Sequence, residues 1–332
     1  MCFLTFFGDT MSAVKLKASM VGTVAAIIGL STLFLTIILS LFDMLSLSTL
    51  LLAIVFLNVL QWLIAPYLIG FMYRVRKVSR TEEPELYSII DKICQKSRIK
   101  SPELVIAKIP IPNAFAYGSP LSGTRIAVTS GLLNTLDTEE IEAVVGHELG
   151  HLRHRDVQVM MFVSILPAIF YYIGYSMMWS SMYSSRNERE RGSSLALIGF
   201  LSIMLYWVLT FFTLYLSRLR EYYADRHSAT TVDDGSRKLS EGLVKIAEWT
   251  ERTRRQYPTM HSLSSLKTLF ISDPDNAGRD LREVFQTNIW RSDHDLVAKY
   301  LNRRVTSADQ FAELFSTHPN LVKRLRALQE LQ

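Results

Sequence analysis

The chain has 332 residues, of which 49% are hydrophobic and 20% charged, with a formal net charge of +5. So apolar a composition excludes an ordinary soluble enzyme, and the modest basic excess reads as membrane orientation and anionic-lipid contact, not as nucleic-acid binding. The two cysteines, Cys2 and Cys94, exclude a disulfide framework and point to a reducing compartment for the polar part.

Taken in order, four blocks lack any charged residue: Ala18–Phe42 (25 residues), Met44–Tyr73 (30), Val157–Ser185 (29) and Gly192–Ser217 (26). Each exceeds the roughly 20 residues needed to cross a hydrocarbon core about 30 Å thick, so a multi-pass membrane protein is expected. The first block is too long for a signal core of about 7–15 residues, and the second follows almost at once across Asp43; a retained helical hairpin is favoured. Lys15 and Lys17 precede this pair, and Arg74, Arg76, Lys77 and Arg80 follow it. The positive-inside bias then puts both flanks in the cytoplasm.

Thr81 to Lys100 reads as an amphipathic helix, with Leu86, Ile89, Ile90, Ile93 and Cys94 on one face. Three short apolar runs come next, Leu104–Ala107, Ala114–Tyr117 and Arg125–Thr129, parted by Pro-, Gly- and Ser-rich separators. They predict a small three-stranded sheet with at least one hairpin. Asn113, Ala114, Phe115 and Ala116 open the candidate edge strand, to which an extended peptide would add; an ordinary core strand is the competing reading.

The segment Thr138–Asp156 organises the chain. Asp137 or Thr138 can cap a helix whose first turn holds Glu139 and Glu140 and whose stripe is Ile141, Val144, Val145, Leu149 and Leu152. On that helix lies His147-Glu148-Leu149-Gly150-His151, an H-E-x-x-H pattern. Histidines four apart share a face about 6 Å apart along the axis, so both imidazoles reach one Zn²⁺, while Glu148 projects beside the metal as a general base must. His154 lies about 10 Å from His147 along the axis, too far for the same ion, and is given a supporting or helix-end role.

The third and fourth blocks form a second hairpin whose link, Arg186–Arg191, holds three Arg and two Glu. That weakly violates the positive-inside bias, and a hairpin lying in the interface is the alternative. Residues Arg218 to Gln332 read as mostly helical, clearest at Lys238–Arg252 and Ala308–Phe315, with loops at Gln256–Ser265 and Ser272–Gly278. A catalytic zinc takes three protein ligands, and the best third candidate is Glu221. Two crossings return the chain to its starting side, so Glu221 can meet the histidines near the bilayer surface. Asp225, one turn further on, can then accept a hydrogen bond from the outer nitrogen of a ligating histidine. A solvated charge cluster beyond a span is the bland alternative.

In NAFAYG at 113–118, HELGH at 147–151, EYYAD at 221–225 and STHP at 316–319, the chain resembles the HtpX group of membrane zinc metallopeptidases, relatives of the CAAX prenyl proteases. The resemblance runs from the first hairpin to near the C-terminus. It implies one zinc held by His147, His151 and Glu221, with Glu148 as base and Asp225 in support, and it implies that His318, with Arg324, reaches the substrate carbonyl. The architecture expected is a mainly α membrane protein: two transmembrane helical hairpins and a zincin-like α+β catalytic domain whose small sheet packs on the zinc helix. Its segments are 1–80, 81–156, 157–217 and 218–332. The implied activity is hydrolysis of peptide bonds in misfolded or damaged membrane proteins at the cytoplasmic face of the cell membrane. A CAAX-type prenyl protease is disfavoured by the small number of spans. A non-catalytic scaffold with structural zinc is disfavoured because such sites are closed by four Cys or His ligands and need no base.

Overall fold

A computed structural model describes residues 47–182, 189–256 and 293–332. The first charge-free block and the expected loops beyond Gln256 lie outside the described residues. In chain order the first elements are α1 (Leu47–Met72), β1 (Val75–Lys77), α2 (Pro84–Ser97), β2 (Glu103–Ala107), β3 (Ala114–Ser119), β4 (Gly123–Thr129) and α3 (Ser130–Thr135). Then come α4 (Thr138–Arg153), α5 (Asp156–Met182), α6 (Arg189–Thr231), α7 (Gly235–Gln256), α8 (Asp293–Leu301), α9 (Ser307–Glu313) and α10 (Leu321–Gln329).

The chain forms two compact units. The first holds the described residues of Met1–Phe56, Val163–Leu214 and Ser307–Ser316; the second holds those of Leu57–Phe162, Tyr215–Thr306 and Thr317–Gln332. Three described helical stretches are long and apolar enough to cross a membrane: Leu51–Met72, Asp156–Met182 and Gly192–Thr231. In the first unit, Tyr172 of α5 packs on Ile54 of α1, Tyr171 meets Tyr206 of α6 edge-on, and Phe315 beyond α9 meets Phe211. Phe200, Leu201 and Phe212 stay exposed on α6, as a lipid-facing surface requires and an aqueous one penalises.

In the second unit the sheet has four strands in the order β1-β2-β4-β3, one more than the apolar runs predict. The extra strand, Val-Arg-Lys, sits among the basic residues that read as a cytoplasmic flank; it pairs antiparallel with β2 through its backbone, to which its side chains give no apolar signature. Strands β2 and β4 run parallel, and β3 and β4 form the expected hairpin, which leaves β3 at the edge.

The amphipathic helix is α2, and its predicted stripe of Leu86, Ile89, Ile90, Ile93 and Cys94 is buried. Burial pushes the Cys94 thiol up to about 11, so this cysteine is an inert core residue.

Helix α4 lies at the centre, against α2, α7 and β3. Asp137 is its N-cap, and Asp137 and Glu140 close a capping box in which the Asp137 N–H donates to Glu140 Oε2 at 2.9 Å. Every residue from Glu140 to Gly150 is buried, so α4 is enclosed on all sides and not merely along its apolar stripe. Of the three acids taken inside, Glu140 and Glu142 are neutralised by α7 and α2: Lys245 Nζ lies 2.8 Å from Glu140, and Lys238 and Lys92 lie 3.1 and 3.0 Å from Glu142. Buried carboxylates without such partners would cost several kcal/mol each.

Candidate metal centre

His147 and His151 occupy successive turns of α4 and turn their Nε2 atoms toward each other, 3.2 Å apart. Glu221 arrives from α6, with Oε2 at 3.6 Å from His147 Nε2 and Oε1 at 3.5 Å from His151 Nε2. Close helix approach makes this meeting feasible. A Cβ on Gly150 would stand 3.0 Å from the Ala224 Cα and 3.1 Å from the His227 Cβ, so only glycine lets α6 come this near the histidines. Farther along, Ser228 Oγ donates to the Ala143 carbonyl at 2.6 Å and the His227 ring meets the Gly146 carbonyl at 3.0 Å, which fixes the register of α6 on α4.

Each histidine is oriented from behind by an aspartate that is itself held by an arginine. Nδ1 of His147 lies 2.8 Å from Oδ1 of Asp225, and Arg324 from α10 forks onto Asp225 with Nε to Oδ2 at 2.8 Å and Nη2 to Oδ1 at 2.6 Å. Nδ1 of His151 lies 2.6 Å from Oδ2 of Asp156, which pairs with Arg220. A carboxylate at Nδ1 keeps the proton there, so each Nε2 offers a lone pair.

The two Nε2 atoms therefore stand 3.2 Å apart, with one Glu221 oxygen 3.6 Å from His147 and the other 3.5 Å from His151. Ligand atoms about 2.0–2.1 Å from a tetrahedral zinc stand about 3.3–3.4 Å from one another, close to the 3.2 Å between the two nitrogens, and Glu221 brings a carboxylate oxygen within 3.6 Å of each histidine. Glu221 Oε2 is buried without a hydrogen bond of good geometry, with His318 Nδ1 at 3.3 Å and Arg324 Nη1 at 3.5 Å as neighbours. The residues present fit the metal. A second acidic group, Asp137, Glu140 and Asp293, does not, because Lys245 Nζ already sits among its three carboxylates at 3.1, 2.8 and 3.0 Å.

Glu148 stands beside the donors and is 5% exposed. Its Oε2 accepts the N–H of Ala116 on the edge strand at 2.9 Å. Burial pushes its carboxyl above the usual range, while that N–H acts the other way. His318 precedes α10, with Nδ1 3.3 Å from Glu221 Oε2. A cleft of about 320 Å³ opens over these groups, lined by Phe115, Ala116, His147, Glu148, His151, Glu221, Thr317 and His318 among others.

Two sequence expectations change. Arg324 does not line the cleft: it is 1% exposed, its guanidinium forks onto Asp225 and its Nη1 lies 3.5 Å from Glu221 Oε2, so it acts through those two carboxylates. Asn113 and Ala114 are buried at 1% and 0%, Asn113 being tied to Thr129 at the far end of β4, so only Phe115 and Ala116 of the expected substrate segment face the cleft. The closing helix is capped by Asn320, whose side chain accepts from the Val322 N–H. His154 is the C-cap of α4, in keeping with a helix-end role.

Sequence reasoning missed Asp156 and Arg220 as a pair. A carboxylate five residues after His151 cannot face it on one continuous helix. It does so because α4 stops, Arg155 takes a left-handed φ of 55° and α5 starts afresh at Asp156.

A buried H-E-x-x-H helix, a carboxylate from a second helix and apolar helices of membrane-crossing length define a membrane metallopeptidase. The comparisons with known proteins agree. The chain belongs to peptidase family M48, whose family model matches residues 80–332. It is 38% identical over 287 residues to the Protease HtpX homolog of Thermoplasma acidophilum, covering 84% of this chain and 83% of that one. It is 36% identical over 283 residues to the Protease HtpX homolog of Picrophilus torridus, and 34% identical over 295 residues to Protease HtpX homolog 2 of Saccharolobus solfataricus. The crystal structure of Ste24p from S. mikatae has a similar fold, with a TM-score of 0.53 at 18% identity, over 94% of this chain and 65% of that one.

Proposed function

We propose that the chain is a zinc-dependent endopeptidase that hydrolyses peptide bonds of misfolded or damaged membrane proteins at the cytoplasmic face of the membrane. The observation that carries this reading is the juxtaposition of His147, His151 and Glu221 with Glu148 and the N–H of an edge strand. His147, His151 and Glu221 would hold the zinc. When bound, zinc acidifies a water toward a pKa of about 7 and polarises the substrate carbonyl.

The rest of the chemistry belongs to the protein. Glu148 takes a proton from the attacking water and later delivers it to the leaving amine. A substrate in extended form adds to β3 beside Ala116, which sets its carbonyl against the cleft floor. His318, on the cleft wall, donates to the carbonyl oxygen as that atom gains charge, a contribution of about 2.7–4 kcal/mol for a donor of this kind. Asp225 with Arg324, and Asp156 with Arg220, keep the two imidazoles in the ligating tautomer.

The test is metal content and casein cleavage on purified protein. One zinc per chain, activity abolished by a chelator and restored by zinc, is the expected result. Full cleavage by metal-free protein would overturn the assignment.

A further inference from the structure

The turn that joins β3 to β4 shows a feature that the peptidase reading does not use. From Ile109 to Thr124 the chain carries no charged residue, and the first charge after it, Arg125, is tied to Glu103 at 3.0 Å. Strand β3 runs alongside α1 in the opposite direction. At one end Phe115 packs on Tyr73, just past the end of α1, with ring centroids 4.9 Å apart. At the other, Ser119 Oγ donates to the Leu63 carbonyl at 3.3 Å. Ten helical residues at about 1.5 Å rise give about 15 Å, and four strand residues at about 3.3 Å give about 13 Å, so the two contacts describe one continuous rail.

Leu63 is far from the polar end of α1. It lies nine residues before Met72, in the middle of the apolar stretch Leu51–Met72, so an α1 that spans the bilayer holds Leu63 about 13 Å below its basic end at Arg74, Arg76 and Lys77. The turn reaches the same depth. At its tip Leu121 is 68% exposed, and on α1 Leu60 and Ile64, close to Leu63 in sequence, are exposed as well. The two serines of the turn pair with each other. The Ser119 N–H donates to Ser122 Oγ at 3.0 Å, the Ser122 N–H donates to Ser119 Oγ at 3.2 Å, and the residue between Ser119 and Leu121 is Pro120, which has no N–H. In hydrocarbon, backbone groups must be satisfied internally, whereas a turn in water has no such need.

From these observations we propose that the β3–β4 turn, Ser119–Gly123, is inserted among lipid acyl chains, with Leu121 as its anchor. Strand β3 then links two environments. Three residues, about 10 Å, separate Ser119 at the Leu63 level from Ala116 at Glu148. A segment that pairs with β3 is taken from the hydrocarbon layer to the base along a single strand.

The proposal rests on α1 spanning the bilayer, and the test separates the two. Single cysteines replace Leu121, Leu60 or Lys77 in the full chain, with Cys2 replaced by serine and the buried Cys94 kept. Each carries an environment-sensitive fluorophore in phosphatidylcholine vesicles and is quenched by acyl-chain nitroxide or by iodide in the buffer. Casein cleavage by each labelled protein verifies folding. L121C should follow L60C, with acyl-chain quenching about threefold or more above that of K77C and little response to iodide, as a position inside a core about 30 Å thick demands. If L121C follows K77C while L60C stays lipid-quenched, α1 spans but the turn is in water, and the proposal is wrong. If L60C also behaves as K77C, the span itself fails and the proposal falls with it.

Discussion

At the scale of single residues, Glu148 and Asp156 sit a few ångströms from the same donors yet should fail in different ways. The Glu148 carboxylate lies within 4.8 Å of the ligand atoms of both histidines, and its Oε2 accepts from the edge strand. Glu148→Gln should therefore keep near-stoichiometric zinc while peptidase activity falls by about a thousandfold, within the range of general-base loss. Parallel loss of metal and activity would contradict the role. Asp156 holds the Nδ1 proton of His151, so Asp156→Asn should weaken zinc binding about 10- to 100-fold in a chelator competition. An unchanged affinity would return Asp156 to a purely structural place beside Arg220. His318 has a third signature. His318→Ala should cut kcat about a hundred- to a thousandfold with little change in KM, zinc content or melting temperature; a variant that melts early, or turns over fully, ends the assignment.

Among the elements, the pairing of α4 with α6 decides whether a site exists at all. Glycine at position 150 is what permits the approach, since an added Cβ meets the backbone of Ala224, which cannot swing aside as a flexible side chain would. Gly150→Val should cost about 1–3 kcal/mol by overpacking and should weaken zinc binding too, because Glu221 rides on the helix pushed away. Thermal melting and zinc titration on the same sample check both parts. A variant that matches the parent in both would show that the close contact does not set the ligand geometry. Helix α4 also illustrates how an element is enclosed by charge pairing. Burial pushes Glu140 above its usual range although Lys245 pulls it down, whereas Glu142, buried but held by both Lys92 and Lys238, ends below its usual range.

For the whole molecule, the basic flanks predict the orientation. Lys77, Glu139 and Glu330 are exposed residues of the unit that carries the site, so cysteines at these three places must share one side of the membrane. In intact cells all three should resist an impermeant thiol reagent, as a cytoplasmic site requires, and a cysteine at Asn187, between two apolar stretches, should be labelled. Labelling of the first three would put the site on the outer face. Shielding at Asn187 alone would replace a spanning second hairpin with an interfacial one.

The H-E-x-x-H helix, its Asp137 cap, the stripe of α2, three of the four strands and the apolar blocks were legible in the sequence, because each is set by spacing within a short window: four residues for the ligands, 3.6 for helices, two for strands. Glu221 and Asp225 were legible too, through the requirement that two crossings return the chain to one side. Tertiary structure alone decided the rest. Strand β1 exists through backbone pairing with β2 and leaves no mark in its side chains. Arg324 was expected at the substrate and is instead buried on Asp225, since nothing local distinguishes an arginine that faces a cleft from one that anchors a carboxylate behind it. Asp156 reaches His151 only because the helix breaks at Arg155, and the depth of the β3–β4 turn beside Leu63 follows from a contact between residues 56 positions apart. Local periodicity fixes which residues can act together on one element; which elements meet, and at what depth, depends on long-range packing that no short window contains.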